Sequence, residues 1–474
     1  MSLDQILPPN EKSDMELVAS IPALVGTNDR EMARRILEEL PFWYSERTHE
    51  YSQVFWTENH QVMYTSSEYI LRTFLGEEID QRLSQRLHVL LDLKLEAGLA
   101  EFMSPVYYPF TIASLLNLYD YSHCPQIRDK ADALLNDIAR QILEFTLSDG
   151  TMISPSGRSY RRHRDSSTGL HIHQFIDFIL HQPMDQTTGQ ALCSTLSTTT
   201  WRPEVMTMIS DIDRQLTPSH DQLVKMLDRM VGRDETNSDV YVSILWSYGM
   251  YVPPSRSLRK KVVAFMDKTG LWRHPHFRTL AGVRRWLCGC PSLWIGMTAD
   301  TCLASPYVHG MWLTGAEASV FREGSVLLST LLGYNEGLPC FQQWPWVANV
   351  DGVVVWCGFG ESAKSSVLGN SDSDSFSARI LPYIRSCGNR LMADYRARYR
   401  WMNWMNRKTR PQMRWPVEQF DETQDYDGWT IGRKNHAVVA YRVRGVRVEV
   451  VVRDLRVSGQ SMEGFRGSLW DYRL

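Results

Sequence analysis

The chain has 474 residues, of which 43% are hydrophobic and 22% are charged, and its formal net charge at pH 7 is -3. This composition excludes an intrinsically disordered chain and provides enough apolar side chains for more than one hydrophobic core. The near balance of charge gives no overall polycation for nucleic acid, and no run of about 18 apolar residues predicts a membrane span.

The predicted elements of the first three hundred residues are helices. Apolar residues recur every three or four positions there, which places them on one face of a helix. The predicted helices span residues 29–40, 58–74, 79–97, 109–119, 126–147, 173–180, 221–231, 239–251 and 258–266. No strand pattern separates them, so helical hairpins in a bundle, a solenoid or a closed toroid are favoured over a doubly wound fold.

Near residue 300 the pattern changes to strands. Three β-branched runs, at residues 352–356, 437–443 and 446–455, predict strands, and the dipeptide Arg444-Gly445 predicts a hairpin between the last two. Residues 361–377 are rich in Ser, Asp and Gly and predict a surface loop. The predicted fold class is therefore α+β, with a helical domain over residues 1–300 and a mostly antiparallel β domain over residues 301–474.

The N-terminus and the cysteines indicate a reduced, cytoplasmic protein. The first ten residues lack the basic start and apolar core of a signal peptide. Eight cysteines without repeated spacing fit free thiols better than a disulfide framework. Cys288 and Cys290, with His274 and His276 shortly upstream, form the cluster that most resembles metal ligands. Their spacing is not that of a zinc site, so a turn is favoured, and neither a metal nor a cofactor is predicted.

Two stretches mimic nucleotide-binding motifs. Residues 358–364 resemble a dinucleotide fingerprint, but no helix pattern follows them, so a turn is favoured. Residues 399–415 interleave basic residues with tryptophans, a mixture that suits single-stranded nucleic acid or a sugar chain. At an overall charge of -3 we favour a strand pair with a basic turn and expect no nucleic-acid partner.

A polar segment from Glu58 to Gln61 stands at the predicted start of a helix. Thr57 suits the N-cap, and Glu58 suits the positive first turn. Asn59 and His60 follow in that turn, where the helix dipole disfavours the imidazolium, so we expect a neutral His60 that can act as a base. The alternative is that both side chains only cap the helix and hydrogen-bond a neighbouring loop.

A second polar segment follows the predicted helix at residues 126–147. It combines guanidinium, phenol and imidazole groups in Arg158, Tyr160, Arg161, Arg162, His163 and Arg164. Guanidinium groups hold carboxylates in a fixed fork geometry, so this segment suits an anionic ligand. The alternative is a solvated basic loop. Tyr107 and Tyr108 stand directly before another helix, where a phenol could point into a pocket.

Four segments resemble motifs of a little-characterised family of large proteins. They are residues 56–61 (WTENHQ), 107–120 (YYPFTIASLLNLYD), 157–161 (GRSYR) and 341–346 (FQQWPW). The layout also resembles that of heparinase and alginate-lyase-like polysaccharide lyases, which implies an (α/α) toroid followed by an antiparallel β-sandwich. Where the family has a histidine after the Gln-Gln pair, this chain has Trp344.

The resemblance implies β-elimination on an acidic carbohydrate or a small carboxylated molecule. A base removes the proton α to a carboxylate, an amide or guanidinium stabilises the enolate-like transition state, and a phenol protonates the leaving oxygen. The implied catalytic residues are His60 as base, Asn59 with Arg158 or Arg161 on the carboxylate, and Tyr107 or Tyr160 as acid. The implied substrate-binding residues are Glu58, Gln61, Tyr108, Arg161, Arg162, His163 and Trp346.

Two alternatives remain open at this point. The helical pocket could serve a metabolic enzyme that acts on a small carboxylated or polyol compound. It could also hold a ligand or partner in a binding or scaffold protein that performs no chemistry. The sequence predicts no oligomeric state.

Overall fold

In the computed structural model, the described residues are 6–51, 53–159, 164, 171–184, 190–204, 212–232, 238–253, 255–282, 284–291, 313, 315–338, 342–360, 380–399 and 408–470. Helices occupy the N-terminal half and two antiparallel sheets occupy the C-terminal half, which confirms the predicted α+β class. Within these ranges, no helix has both the length and the apolar character needed to cross a membrane.

Helices follow one another at short intervals in the N-terminal half. Their bounds are α1 (Ser13–Gly26), α2 (Arg30–Glu39), α3 (Glu58–Leu75), α4 (Gln81–Ala97), α5 (Tyr108–Tyr121), α6 (Pro125–Glu144), α7 (His173–Ile179), α8 (Gln190–Leu196), α9 (His220–Met230), α10 (Ser238–Ser247), α11 (Arg256–Lys268), α12 (Arg278–Ala281) and α13 (Arg284–Gly289). Every predicted helix is present, with ends within about one turn of the prediction. α1 was not predicted, although Leu17, Val18, Ile21 and Leu24 recur at helical spacing and are buried.

α3 is the central helix of the N-terminal half. Every residue from Glu58 to Leu71 is buried, and α1, α2, α4, α5 and α10 all contact this helix. A helix that is enclosed on all sides belongs to the interior rather than to the surface. The polar residues of its first turn are therefore interior residues, and the protein must satisfy them there.

The strands form two sheets. Their bounds are β1 (Ile212–Gln215), β2 (Glu317–Glu323), β3 (Val326–Leu332), β4 (Trp346–Val350), β5 (Val353–Phe359), β6 (Tyr383–Cys387), β7 (Arg390–Asp394), β8 (Pro411–Arg414), β9 (Glu422–Tyr426), β10 (Trp429–Lys434), β11 (Ala437–Arg444) and β12 (Arg447–Asp454). The first sheet has the order β1-β2-β3-β4-β5-β8, and the second has the order β6-β7-β12-β11-β10-β9. The predicted hairpin is confirmed, because Arg444 pairs with Arg447 and Gly445 has a φ of +64° in the turn.

The two sheets pack face to face over one apolar core. Val326 and Val355 enter it from the first sheet, and Val439 and Val450 enter it from the second. Because neighbouring residues of a strand point to opposite faces, the next residues of β11 and β12 point outward. Two short helices follow the last strand, α14 (Leu455–Ser458) and α15 (Met462–Ser468), and Phe465 of α15 packs on that outer face.

One strand lies where the sequence predicted only helices. β1 pairs antiparallel with β2, with Ile212 opposite Val320, so a segment of the helical half joins the first sheet. Its four residues carry too short a pattern to predict a strand, and pairing with β2 supplies the missing backbone partners. The boundary predicted at residue 300 and the loop predicted at residues 361–377 lie outside the described residues. β5 continues through Gly358, which pairs with Gln412 of β8.

A loop after α6 joins the helical half to the first sheet. The backbones of Ser156 and Trp344 exchange two hydrogen bonds of 2.9 and 2.8 Å, and Ser159 N donates to Gln342 O at 2.9 Å. Gly157 lies so close to residue 100 that a Cβ atom there would stand 2.7 Å from the Ala100 carbonyl oxygen. A glycine is therefore required at this position, and it places Arg158 beside the segment that follows α4.

Candidate functional site

The carboxylate of Glu58 is buried at the start of α3 and fully engaged by the protein. Its side chain accepts hydrogen bonds from Lys94 Nζ, from Ala100 N at 3.0 Å and from Glu101 N at 2.7 Å. Burial lowers the pKa of Lys94, and the charge of Glu58 opposes that shift. These contacts give Glu58 a structural role, in which it fixes residues 100 and 101 against α3, and they add no support to its predicted contact with substrate.

A second buried carboxylate, Glu101, links α3 to Arg158. Arg158 Nη1 donates to Glu101 Oε1 at 2.6 Å, and Asn59 N donates to Glu101 Oε2 at 3.3 Å. Arg158 Nε donates to Gln342 Oε1 at 2.9 Å, so the β half also holds the guanidinium. Burial raises the pKa of Glu101, while Arg158 opposes that shift. The sequence did not single out Glu101, because an isolated glutamate carries no motif.

Tyr107 completes this group from the N-terminal end of α5. The Arg158 guanidinium carbon lies 4.1 Å from the centre of the Tyr107 ring, within the range of a cation–π contact. Three of the predicted catalytic residues, Asn59, Tyr107 and Arg158, come from separate segments of the chain. The structure connects them to one another through Glu101 and Arg158.

His60 forms a buried pair with Asp14, a residue of α1 that the sequence analysis missed. His60 Nδ1 lies 2.5 Å from Asp14 Oδ2, and the two residues are 7% and 0% exposed. The first turn of α1 favours the carboxylate, and Met15 N donates to its other oxygen at 2.9 Å. A carboxylate on Nδ1 holds the proton at that nitrogen and leaves Nε2 as the basic one.

Asn59 has a buried amide hydrogen-bond donor to which the described residues offer no acceptor. Its Oδ1 accepts a hydrogen bond from Thr57 Oγ1 at 2.7 Å, whereas Nδ2 has no partner in the described part of the chain. Thr57 stands at the N-cap position as predicted, but its hydroxyl bonds Asn59 rather than the helix backbone. A buried unpaired donor costs about 1–3 kcal/mol, which a ligand acceptor would recover.

Gln61 also has a side-chain amide in which only one of the two polar atoms has a hydrogen-bond partner among the described residues. Its Nε2 donates to the Ser243 carbonyl oxygen of α10, and its Oε1 lacks a donor among the described residues. The amide therefore ties α3 to α10 and keeps one acceptor available. Its predicted contact with substrate stays a prediction.

A wall of aromatic rings and imidazoles lies next to this group. The Trp56 ring stands 4.8 Å from His274 and 5.1 Å from His276. Burial lowers the pKa of His274 to about 4 and that of His276 to about 3, and the charge of Arg158 adds to the shift of His276. Both imidazoles are therefore neutral near pH 7. No group of three or more His, Cys, Asp or Glu residues in the described ranges could hold a metal ion.

Tyr108 and Trp346, which were predicted to bind substrate, form hydrogen bonds with buried side chains of the protein. Tyr108 donates its hydroxyl to Gln141 Oε1 at 3.3 Å, and Trp346 Nε1 donates to Tyr395 OH at 3.1 Å inside the sandwich core. The predicted catalytic acid Tyr160 and the predicted substrate-binding residues Arg161, Arg162 and His163 lie outside the described residues. Arg164 is fully buried and bonds Ser159, so this guanidinium belongs to the interior and not to a solvated loop.

No family model matches the chain, and no curated protein or solved structure matches it significantly. The resemblance to heparinase and alginate-lyase-like proteins therefore stays a prediction.

Proposed function

We propose that the protein is an enzyme that removes the proton α to a carboxylate and expels the β-oxygen substituent. This makes it a carbon–oxygen lyase for an acidic sugar or a similar small carboxylated molecule. The observation that carries the proposal is the His60–Asp14 pair, which stands directly beside Asn59, whose Nδ2 has no acceptor among the described residues. In the same proposal, the helices of the N-terminal half form an (α/α) toroid around the substrate.

His60 is the base in this reaction. The Nε2 lone pair takes the α proton, and the imidazolium that forms is stabilised by Asp14 on Nδ1 and by the nearby charge of Glu101. Asp14 also fixes the ring plane, so Nε2 needs no reorientation before it accepts the proton. A positioned base of this kind contributes about 10²- to 10⁴-fold to the rate.

Asn59 and Arg158 stabilise the charge that develops on the substrate carboxylate. Asn59 Nδ2 donates to one carboxylate oxygen and gains the partner it lacks among the described residues. Arg158 supplies positive charge on the same side, held in place by Glu101 and Gln342. Donors that are already oriented stabilise an enolate-like transition state without reorganisation.

Tyr107 returns a proton to the leaving oxygen. As the C–H bond breaks, its electron pair forms the new C=C bond, the C–O bond breaks, and the phenol proton passes to the departing oxygen. Arg158, 4.1 Å from the ring, favours the phenolate that is left behind. The proton on His60 then returns to the phenolate through water, which restores the starting state.

A non-catalytic binding protein is the second candidate. It is favoured by the buried bonds of Arg158 to Glu101 and Gln342, since an arginine held on two sides is also typical of a structural ion pair. In that case the unpaired donor of Asn59 would bind a ligand, and His60 would do no chemistry.

The test is incubation with a panel of uronans while the absorbance of the unsaturated uronate is followed. The wild-type chain should produce absorbance with at least one of them, and His60→Ala should reduce the rate by about 10²- to 10⁴-fold. Asp14→Asn should also lower kcat, because the amide no longer fixes the required tautomer. The exposed residue His123 provides a matched control, and His123→Ala should leave the rate unchanged.

Thermal unfolding of each variant separates lost chemistry from lost structure. A folded His60→Ala protein without turnover supports the enzyme, whereas a folded His60→Ala protein with wild-type turnover contradicts it. Absence of absorbance with every uronan, together with binding of one of them, would favour the second candidate.

A further inference from the structure

A small pocket opens beside Arg158, where the helical half meets the first sheet. Trp344, Ser156 and Ser159 line it together with Met103, Met152 and Ile153. The enclosed space is about 20 Å³, somewhat more than the roughly 10–15 Å³ that one water molecule needs. The pocket therefore has room for the end of one small group rather than for a whole sugar ring.

The indole nitrogen of Trp344 is a buried donor in this lining. Trp344 is 3% exposed, and its Nε1 has no acceptor among the residues that the structure describes. The hydroxyls of its neighbours already have other partners: Ser156 Oγ accepts from Arg158 N at 3.0 Å and donates to Phe102 O at 3.2 Å. Ser159 Oγ accepts two bonds from Arg164. A buried N–H in this state favours a ligand that brings an oxygen acceptor.

The surroundings of Trp344 select the kind of acceptor. The guanidinium carbon of Arg164 lies 5.4 Å from the Trp344 ring and 5.4 Å from the Trp356 ring, so a positive charge stands behind the indole. That charge favours a strongly polarised oxygen such as a carbonyl. Met103, Pro105, Met152 and Ile153 give the rest of the lining an apolar part that suits a methyl group. Ser154 also lines the pocket, and its hydroxyl donates to Pro155 O at 2.6 Å.

We propose that this pocket binds an acetyl group. The carbonyl oxygen accepts the hydrogen bond from Trp344 Nε1, and the methyl group packs among Met103, Met152 and Ile153. Binding at this site requires no turnover at His60, so the site stands beyond the proposed function.

The indole N–H signals of protein labelled with ¹⁵N in its tryptophans provide the readout. The chain has 16 tryptophans, and Trp344→Phe identifies one signal by its loss. The probes are N-acetylglucosamine and glucosamine, which differ by the acetyl group. We expect the Trp344 signal to move with N-acetylglucosamine and to stay in place with glucosamine.

Two variants test the contact itself. Trp344→Phe keeps an aromatic ring and removes the donor, so the affinity for N-acetylglucosamine, measured by calorimetric titration, should fall about 5- to 10-fold. Ile153→Phe fills the pocket and should abolish the movement of the Trp344 signal while the other signals stay at their places. Trp470→Phe is the matched control, because Trp470 is 45% exposed beyond α15, and it should bind as the wild type does.

The same titration on His60→Ala protein keeps this proposal separate from the lyase. The Trp344 signal should still move, whether or not the chain is an enzyme. A Trp344 signal that stays in place with both sugars, or that moves equally with both, would overturn the acetyl site and indicate a pocket that holds only water.

Discussion

The start of α3 and the core of the sandwich are both interior regions, yet they are built from opposite chemistry. Glu58, Asn59 and His60 are buried in succession at the first, whereas the facing strands of the second contribute almost only apolar side chains. The sandwich also contains buried polar groups. Trp346 and Tyr395 form a satisfied pair, since Tyr395 OH donates onward to Cys357 O at 3.1 Å, whereas the buried hydroxyl of Thr330 has no partner among the described residues.

On the proposed function, the start of α3 serves chemistry and the sandwich core serves stability. Burying charged groups costs free energy that the ion pairs do not fully return, and apolar side chains of equal volume are often as stable or more so. Stability alone therefore does not explain why α3 begins with Glu58, Asn59 and His60.

We expect the largest effect on stability from breaking the buried ion pair between Glu58 of α3 and Lys94 of α4. Glu58→Gln removes the charge that Lys94 faces and leaves a buried ammonium without a counter-ion, with both side chains at most 2% exposed. We expect a loss of about 3–5 kcal/mol in the free energy of unfolding. Urea denaturation measures it, with the slope against urea checked for two-state behaviour.

The matched control is Glu58→Gln combined with Lys94→Met. Removal of both charges leaves no uncompensated ion, so the double variant should recover at least half of the lost stability. A double variant that is as unstable as Glu58→Gln would show that the backbone bonds to Ala100 and Glu101, rather than the ion pair, distinguish this region.

The same contrast explains how much of the molecule the sequence could predict. The hairpin at Arg444-Gly445 and the helix that begins at Glu58 were predictable because both follow from the spacing of neighbouring residues. The Asp14–His60 pair was not, because its members are 46 residues apart and only the packing of α1 on α3 brings them together. No local pattern marks such a carboxylate before the fold is known.

Glu101 and Trp344 show the same limit. Glu101 lies in an irregular segment after α4, and its importance comes from Asn59 and Arg158, which reach it from both sides. Trp344 stood out in the sequence only as a departure from the motif that its segment resembles, and its pocket depends on the loop after α6. Cysteine and histidine spacing favoured no metal site, and the packing of His274 and His276 against Trp56 became visible only in the structure.

We expect acid to lower the free energy of unfolding by an intermediate amount, through histidines of the helical region. The folded-state pKa of His276 is lowered to about 3, below an unfolded value of about 6.5. As the pH falls below about 6.5, the unfolded chain binds a proton that the folded chain does not bind, so stability falls by about 1.4 kcal/mol per pH unit for this residue. Between about pH 6.5 and pH 5 the loss is about 2 kcal/mol.

The variant His276→Phe tests the assignment, because the ring can still pack on Trp56 but cannot titrate. The free energy of unfolding, measured by urea at several pH values, should decline less steeply in the variant by the equivalent of one proton. His274 continues to contribute, since burial lowers its pKa as well. His123→Gln, at an exposed position, serves as the control. An unchanged slope in His276→Phe would show that the acid sensitivity originates elsewhere.

The smallest expected effect lies in the sandwich core. Tyr395→Phe keeps the ring that stacks on Phe359 at 5.4 Å, but it removes the acceptor of Trp346 Nε1 and the donor to Cys357 O. We expect a loss of about 1–2 kcal/mol in the free energy of unfolding, because a buried indole N–H is left unpaired. Tyr441→Phe, on a half-buried ring at the edge of the same core, is the control and should change stability by less than about 0.5 kcal/mol.

Since both changes stay within the sandwich, turnover of a uronan and binding of N-acetylglucosamine should remain as in the wild type. If Tyr395→Phe altered either one, Trp346 would belong to a ligand site, as the sequence predicted, and the division between a stabilising region and a functional one would not hold.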